Sequence, residues 1–149
     1  MFSNVTMHLN SSQIAVILPQ SYPFLMIDRV VDFKKGESLT AIKNITGNEW
    51  VFEGQPCQAG VFPETLLIEA AAQAAILFYR LNKAGQNSKS KIFLGRAKAE
   101  FLKPVHVGDQ LRLKTATYKM LATSGYMDIQ ASVSEVDVAN FEIMYSVIK

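Results

Sequence analysis

An α+β fold, with one long helix packed on an antiparallel sheet, is what the pattern of the sequence predicts. Of the 149 residues, 49% are apolar, which is enough for one well-packed domain over residues 1–149 and excludes a disordered chain. The run Thr65–Lys83, which follows Pro63 and contains no glycine or proline, predicts one long helix. Strand-like stretches dominate the remainder, and no internal repeat interrupts them. This order of elements is typical of the α+β class.

The first elements are a short helix and a hairpin. Asn10 is a good helix cap, and the helix that follows it should stop before Pro19. Leu25–Phe33 is then predicted as a strand, followed by a turn at residues 35–37. Ser38–Ile45 alternates well enough to be the second strand of the hairpin.

The long helix comes next, between two irregular segments. Gly54–Gly60 contains a proline and two glycines, so we expect a loop there. Pro63 suits the first turn of a helix, and the helix should continue to Lys83. Its many alanines make it thin enough to lie close to a sheet. Ala84–Ser90 is predicted as a solvated loop.

The last third of the chain is predicted to be all strand. The expected turns lie at Lys103–Pro104, residues 123–125 and residues 136–139, and the expected strands are Ile92–Phe101, Asp109–Leu121, Tyr126–Glu135 and Asn140–Ile148. One helix cannot cover both faces of a five- or six-stranded sheet, and edge strands tend to find partners. We therefore expect a dimer.

The charge and the scarce metal-binding side chains exclude several functions. Lys and Arg outnumber Asp and Glu by 15 to 13, which argues against a nucleic-acid binder. A single cysteine, Cys57, allows no internal disulfide, and His8 and His106 lie too far apart in sequence to indicate a metal site. No secretory signal or membrane span is recognisable, so we expect a cytoplasmic protein with no membrane contact and no cofactor.

Glu69 is the first candidate for chemistry, because it lies in the most apolar helix of the chain. A carboxylate in such surroundings is normally paired, hydrogen-bonded or altered in its acidity. Glu69 could face solvent or be satisfied by backbone donors at a subunit interface. It could also be a general acid or base, since such groups are often tuned by burial.

The segment that leads into the helix offers a second candidate feature. The first-turn N–H groups of a helix have no intrahelical partner and lie at the positive end of its dipole. A carbonyl oxygen that gains negative charge could be held there, as in an oxyanion hole. Together with Glu69, this helix start could form a site for a thioester.

Three blocks of the sequence resemble one enzyme family. Gln20–Val30 resembles the H-R-Y-P-F-L-L-V-D-R-V opening of FabZ-type 3-hydroxyacyl-acyl-carrier-protein dehydratases. Phe52–Gln73 is similar to the family signature F-x-G-H-F-P-G-x-P-x-F-P-G-V-L-x-x-E-A-M-A-Q. Phe93–Gln110 resembles the F-x-G-x-x-x-A-R-F-K-R-P-V-x-P-G-D-Q block. The three blocks occur in the family's order and cover most of the chain.

This resemblance implies the hot-dog fold, in which an antiparallel sheet wraps around one long central helix. It also implies a dimer, in this family often assembled as a trimer of dimers, that acts on acyl chains carried as thioesters by acyl carrier protein. The family's catalytic glutamate corresponds to Glu69, but its catalytic histidine corresponds to Gln55, which has no useful pKa for proton transfer. The family's tunnel and helix start place these residues at the substrate: Gly54, Val61, Phe62, Pro63, Glu64, Gln73, Tyr22 and Phe24. For the last two, packing of the N-terminal arm is the alternative.

Three functions remain open because of Gln55. The chain could be a dehydratase with an altered site, completed by a second hot-dog subunit in a homodimer or heterodimer. It could be a hot-dog thioesterase in which Glu69 and Gln55 act together. It could also be a non-catalytic acyl-binding or structural subunit.

Basic residues between Arg80 and Lys103 could steer the acidic carrier protein, or they could simply be a solvated face. Cys57 is expected to be a loop thiol, and His106 a loop histidine rather than a replacement catalyst.

Overall fold

The computed structural model describes residues 7–54, 60–83 and 90–148. The predicted loop residues 55–59 and 84–89 lie outside the described residues. The elements are α1 (Ser11–Ile17), β1 (Arg29–Lys34), β2 (Ser38–Asn44), a short 3-10 helix (Trp50–Phe52), α2 (Glu64–Asn82), β3 (Lys91–Phe101), β4 (Gln110–Met120), β5 (Ser124–Val133) and β6 (Val136–Ile148). The α+β prediction is confirmed.

Helix α1 begins where the sequence indicates. Asn10 and Gln13 form a reciprocal capping box, each side chain bonded to the other's backbone N–H. Leu18, before Pro19, is extended and ends the helix.

The six strands form one antiparallel sheet in the order β1-β2-β4-β5-β6-β3. Helix α2 lies on the inner face of the sheet and touches five of its strands, from β2 to β6. The five small alanines of the helix are all nearly or completely buried, which is why the strands can approach it so closely. A sheet wrapped around one long helix is the hot-dog arrangement that the resemblance implied.

Two predicted boundaries are wrong, and each has a local cause. Strand β1 begins at Arg29 rather than Leu25, because the backbone before it is bound by the side chain of Gln73. The last turn falls at Ser134 and Glu135 instead of residues 136–139. Both residues have a positive φ, 49° and 67°, which closes a tight two-residue hairpin between β5 and β6.

The two edges of the sheet differ. Strand β1 has six residues, and its outer edge is bonded in both directions to Leu9 through Val30. Strand β3 has eleven residues and pairs only with β6 in the described part of the chain. Among the described residues no helix is long and apolar enough to cross a membrane.

The far end of the core is packed against one glycine. The ring of Tyr145 on β6 lies directly over Gly125 on β5, so a Cβ at residue 125 would overlap the Tyr145 hydroxyl oxygen and the ring carbon that bears it. The other side of the same ring meets Tyr79 of α2 edge-to-face, with centroids 5.1 Å apart. Burial raises the pKa of the Tyr145 phenol above its usual range.

Candidate active site

Glu69 lies in the first half of α2 and is half-buried. Its Oε1 accepts a hydrogen bond of 2.8 Å from Nε2 of Gln73, one helical turn further along. Within the described chain, the hydrogen-bond donor to this carboxylate is therefore a side-chain amide of its own helix. Backbone donors at a subunit interface, the alternative left open by the sequence, stay a prediction.

Gln73 is fully buried, and its amide is hydrogen-bonded on both atoms. Its Oε1 accepts from the backbone N–H of Met26 at 2.7 Å. Its Nε2 donates to the carbonyl oxygen of Phe24 at 2.8 Å as well as to Glu69. Contact of Gln73 with substrate remains a prediction. These three hydrogen bonds show that its side chain links Glu69 to the backbone of residues 24–26.

The start of α2 is held by the segment before β4. The Phe62 N–H donates to the carbonyl of Val105 at 2.7 Å, and the Val107 N–H donates to the carbonyl of Gly60 at 2.8 Å. Phe62 therefore cannot use its N–H in an oxyanion hole. Pro63, the helix cap, has no N–H and makes no side-chain capping bond.

Two N–H groups at this helix start stay without an intrahelical acceptor. Leu66 and Leu67 both donate to the carbonyl of Pro63, so the intrahelical pattern begins with them. Glu64 and Thr65, which precede them, are exposed. Their N–H groups are the ones that could hold a developing negative charge at the positive end of the helix.

A buried ion pair supports this end of the molecule, and the sequence analysis missed it. Nζ of Lys43 lies 2.5 Å from Oε1 of Glu49, with side-chain exposures of 6% and 13%. The same nitrogen is 5.9 Å from the centroid of the buried Phe62 ring. The signal in the sequence was a lysine directly after the apolar Ala41 and Ile42, which is too weak to identify a partner. The pair packs against the residue that precedes the cap of α2.

The other predicted substrate-binding residues fall into an exposed group and a buried one. Phe62 and Gln73 are buried, and Pro63 is half-buried. The exposed residues are Gly54, Val61, Glu64, Tyr22 and Phe24, of which Tyr22 is 91% exposed. Gln55, the predicted partner of Glu69, lies outside the described residues, as does Cys57. Nothing tests their distance from the carboxylate.

The N-terminal aromatic segment is tied to the site by backbone groups. Nε1 of Trp50 donates to the carbonyl of Pro23 at 3.1 Å, and Gln73 holds the carbonyl of Phe24. The peptide bond between Tyr22 and Pro23 is cis. The backbone of this segment is thus held in place, while the side chains of Tyr22 and Phe24 are exposed. Whether the two rings contact substrate or pack the arm stays a prediction.

His106 lies at the helix start but is a surface residue. Its backbone forms an antiparallel bridge with Val61, and its N–H donates to Oδ2 of Asp109 at 2.8 Å. The side chain is exposed. Within the described residues, no group of three His, Cys, Asp or Glu side chains is placed to hold a metal ion.

Solved structures place the fold in the hot-dog class. The chain is similar to the dehydratase heterocomplex ApeI:P from Xenorhabdus doucetiae, with a TM-score of 0.78, 14% identity and 91% of each chain covered. It is also similar to a mutant of thioesterase PA1618 from Pseudomonas aeruginosa, with a TM-score of 0.71, 15% identity and 94% of each chain covered. A hot-dog-like protein from Thermanaerovibrio acidaminovorans matches with a TM-score of 0.63 and 14% identity, over 78% of this chain and 84% of that one.

Sequence comparison gives the family. The model of the FabA-like domain matches residues 18–142. The 3-hydroxyacyl-[acyl-carrier-protein] dehydratase FabZ of Vibrio atlanticus is 39% identical over 91% of each chain. That of Shewanella loihica is 38% identical over 95% of this chain and 94% of the relative. The chain belongs to the FabA-like family and, within it, groups with the FabZ dehydratases.

Proposed function

We propose that the chain is a dehydratase of 3-hydroxyacyl thioesters on acyl carrier protein, with Glu69 as its proton-transfer group. The observation that carries the proposal is Glu69 itself: a half-buried carboxylate on the central helix, held by Gln73, in a chain related to FabZ dehydratases. A fold-level likeness alone would not define a reaction. The family's catalytic glutamate, which corresponds to Glu69, and the geometry around it together support dehydration.

The chemistry needs two proton transfers. A proton leaves the carbon next to the thioester carbonyl, and the hydroxyl on the following carbon departs with a proton as water. A double bond forms between the two carbons. Glu69 can carry one of these transfers, or both in turn, because a carboxylate that has taken up a proton can return it. The N–H groups of Glu64 and Thr65 support the proposal, since they could bind the carbonyl oxygen as charge develops on it.

The second half of the site comes, in this proposal, from another hot-dog subunit. Directly paired residues in an antiparallel sheet project to the same face. Leu94 pairs with Tyr145, which is 1% exposed, yet Leu94 itself is 51% exposed. Its side chain thus points to the inner side of the sheet, where the described part of the chain leaves it uncovered. A second subunit on the β3 edge would cover it.

Gln55 gives a reason to include a different partner. By the family motif, Gln55 falls where the dehydratases carry their catalytic histidine, and removing a general acid or base typically costs about 10²- to 10⁴-fold in rate. A hot-dog subunit with its own histidine would restore that group next to Glu69. The similar ApeI:P structure is described as a dehydratase heterocomplex. We therefore propose that the chain forms a heterodimer with a second hot-dog subunit, as an alternative to the homodimer. Either dimer would act on acyl groups carried by acyl carrier protein in the cytoplasm.

The test compares two substrates on the purified protein. The chain is incubated with 3-hydroxyacyl-carrier protein and with the saturated acyl-carrier protein, and the carrier is followed by mass spectrometry. Loss of one water from the hydroxyacyl carrier supports the dehydratase. Release of free acid from both carriers would overturn it in favour of a thioesterase, the function of the similar PA1618.

If the pure chain forms neither product, the assay is repeated on complexes of the chain with a second subunit. The chain is co-expressed with hot-dog proteins encoded near it, and the assay is repeated on each complex that co-purifies. Water loss that appears only in the complex, and disappears with Glu69→Gln, supports the shared site. Water loss that survives Glu69→Gln in this chain would show that the chain is a structural subunit.

A further inference from the structure

We infer that Gln73 is a positioning residue for Glu69, and that it couples the carboxylate to the backbone of the segment Phe24–Met26. The inference rests on the proposed function for its catalytic meaning, but its geometric content stands on three hydrogen bonds. All three are 2.7–2.8 Å long and involve a side chain that is fully buried.

The backbone fixes which way the amide faces. An amide side chain can normally flip, exchanging its donor and acceptor ends. Here the N–H of Met26 requires an acceptor, and the carbonyl of Phe24 requires a donor. A flipped amide would set N–H against N–H and oxygen against oxygen, leaving buried groups unpaired. The orientation with Nε2 toward Phe24 and Glu69 is therefore the only one that satisfies both backbone groups.

This fixed orientation of the Gln73 amide decides which hydrogen bond the Glu69 carboxylate accepts. The amide presents a donor to Oε1 of Glu69, so that oxygen is held as an acceptor. Among the described residues none donates a hydrogen bond to the other oxygen, Oε2, and the proposed proton transfer is assigned to that oxygen. In this assignment one oxygen of Glu69 is anchored by Gln73 and the other carries the proton. Misplacing a catalytic group by about 1 Å can cost about 10²-fold in rate.

The same bonds connect Glu69 to an exposed surface. The side chain of Phe24 is 42% exposed, while its carbonyl oxygen is bound by Gln73. The preceding residue, Pro23, is anchored separately by Trp50. Glu69 is thus linked through Gln73 to the backbone of a partly exposed aromatic segment.

The hydrogen bond between Gln73 and Glu69 is tested by NMR on the isotope-labelled protein, which requires no activity assay. Glu69→Ala should move the side-chain amide resonances of Gln73 by more than a linewidth and leave the folded spectrum otherwise intact. The matched control is Gln130 on β5, whose Nε2 donates to Oδ2 of Asp137 at 2.8 Å on the exposed surface. Its side-chain resonances should stay in place. Unchanged Gln73 resonances in Glu69→Ala would overturn the inference.

The catalytic part is tested by kinetics in the assembled protein. Gln73→Glu keeps an acceptor for Met26 but removes the donor to Glu69 and to the carbonyl of Phe24, so kcat should fall at least about 10-fold with little change in KM. Gln130→Glu should leave both unchanged. In a Glu69→Gln background, Gln73→Glu should cost much less, because residues that act as a unit are not additive.

Two results contradict the catalytic part. One is equal loss from Gln73→Glu in both backgrounds, which would indicate a structural role only. The other is a rise in KM with unchanged kcat, which would indicate direct substrate binding. If the wild-type protein dehydrates no 3-hydroxyacyl thioester in any assembly, the proposed function fails, and the NMR result alone then decides whether Gln73 orients Glu69.

Discussion

The two halves of helix α2 are both largely buried, but they differ in the contacts that their side chains make. The first half carries Glu69 and Gln73, whose side chains are hydrogen-bonded to each other, and Gln73 is also bonded to backbone. The second half carries two aromatic rings that pack edge-to-face, Phe78 against Phe33 at 6.0 Å and Tyr79 against Tyr145 at 5.1 Å. A hydrogen bond in a core contributes only about 0.5–1.5 kcal/mol net, whereas an aromatic side chain also buries about 150–250 Å² of apolar surface.

This difference teaches that activity and stability should be separable along one helix. Changes near Glu69 should affect the reaction and leave the fold largely intact. Changes around Tyr145 should affect the fold and leave the chemistry of the folded molecules intact. Each prediction below tests one side of this separation.

The largest effect is expected from Glu69→Asp. The charge is kept, but the carboxylate is withdrawn by one methylene from its bond with Gln73. We expect kcat for dehydration to fall about 100-fold, because a small misplacement of a catalytic group is costly. The melting temperature should change by no more than a few degrees. The measurement is steady-state kinetics together with thermal unfolding by circular dichroism.

The control for that variant is Glu37→Asp, in the exposed turn between β1 and β2. It makes the same chemical change away from α2 and should leave kcat as in the wild type. Equal losses in the two variants would show that the effect is not local to the site.

Gly125→Ala should have the next largest effect, on stability. The new methyl group would overlap the Tyr145 hydroxyl oxygen and the ring carbon that bears it, so the ring must move. Overpacking of this kind typically costs about 1–3 kcal/mol. Denaturant unfolding measures the loss. Gly47→Ala is the control, since its nearest atom, on Val107, would be 3.9 Å away.

Leu94→Lys extends the comparison to the partner subunit. Leu94 faces the inner side of the sheet beside Tyr145, and a charge there would be buried by a second subunit on β3. We expect the dimer dissociation constant to rise at least about 10-fold, equivalent to about 1.4 kcal/mol. Phe93→Lys changes a neighbour that pairs with the exposed Ser146 and is 49% exposed. Analytical ultracentrifugation should show the smaller effect for Phe93→Lys, and the reverse order would contradict this placement of the interface.

The smallest effect is expected from Tyr145→Phe. Among the described residues the Tyr145 hydroxyl has no hydrogen-bond partner, so its removal should be neutral or stabilise by up to about 1 kcal/mol. The effect should depend on pH, because burial raises the pKa of this phenol. Above about pH 10 the phenol ionises in the unfolded chain and stays neutral in the folded one, so wild-type stability falls as pH rises.

Unfolding at several pH values measures that contribution. The wild type should lose more free energy of unfolding than Tyr145→Phe between about pH 9 and about pH 11, a window of about one unit on either side of the ordinary phenol value. Parallel curves for the two proteins would show that the Tyr145 ring is not held away from water.

The sequence predicted the parts of the fold that depend on local pattern. The Asn10 cap, the long glycine-free helix and six strands follow from propensity and period, and the structure confirms them. The start of β1 did not follow, because the backbone near Met26 is bound by a side chain 47 residues away. The hairpin turn at Ser134 and Glu135 lacks the usual Asn-Gly signal, so its position was missed.

The site was predicted less completely than the fold. Glu69 was identified because a carboxylate in an apolar helix is unusual. The bond of Glu69 with Gln73 and the pair Lys43–Glu49 were not predicted, because both depend on how packing orients long side chains. The i, i+4 spacing of Glu69 and Gln73 places both side chains on one face of the helix, but it does not show that Gln73 also binds backbone, and nothing in the sequence pairs Lys43 with Glu49. Gln55 was identified through the family motif, and its place relative to Glu69 stays a prediction.

A single-turnover experiment tests the central proposal, dehydration at Glu69, most directly. The protein is used in excess over 3-hydroxyacyl-carrier protein, and the conjugated enoyl thioester is followed by its ultraviolet absorbance, first with the chain alone and then with its co-purified partner. We expect the enoyl product to form with the wild type and its rate to fall at least about 100-fold with Glu69→Gln. Enoyl formation at an undiminished rate in Glu69→Gln would contradict the proposal.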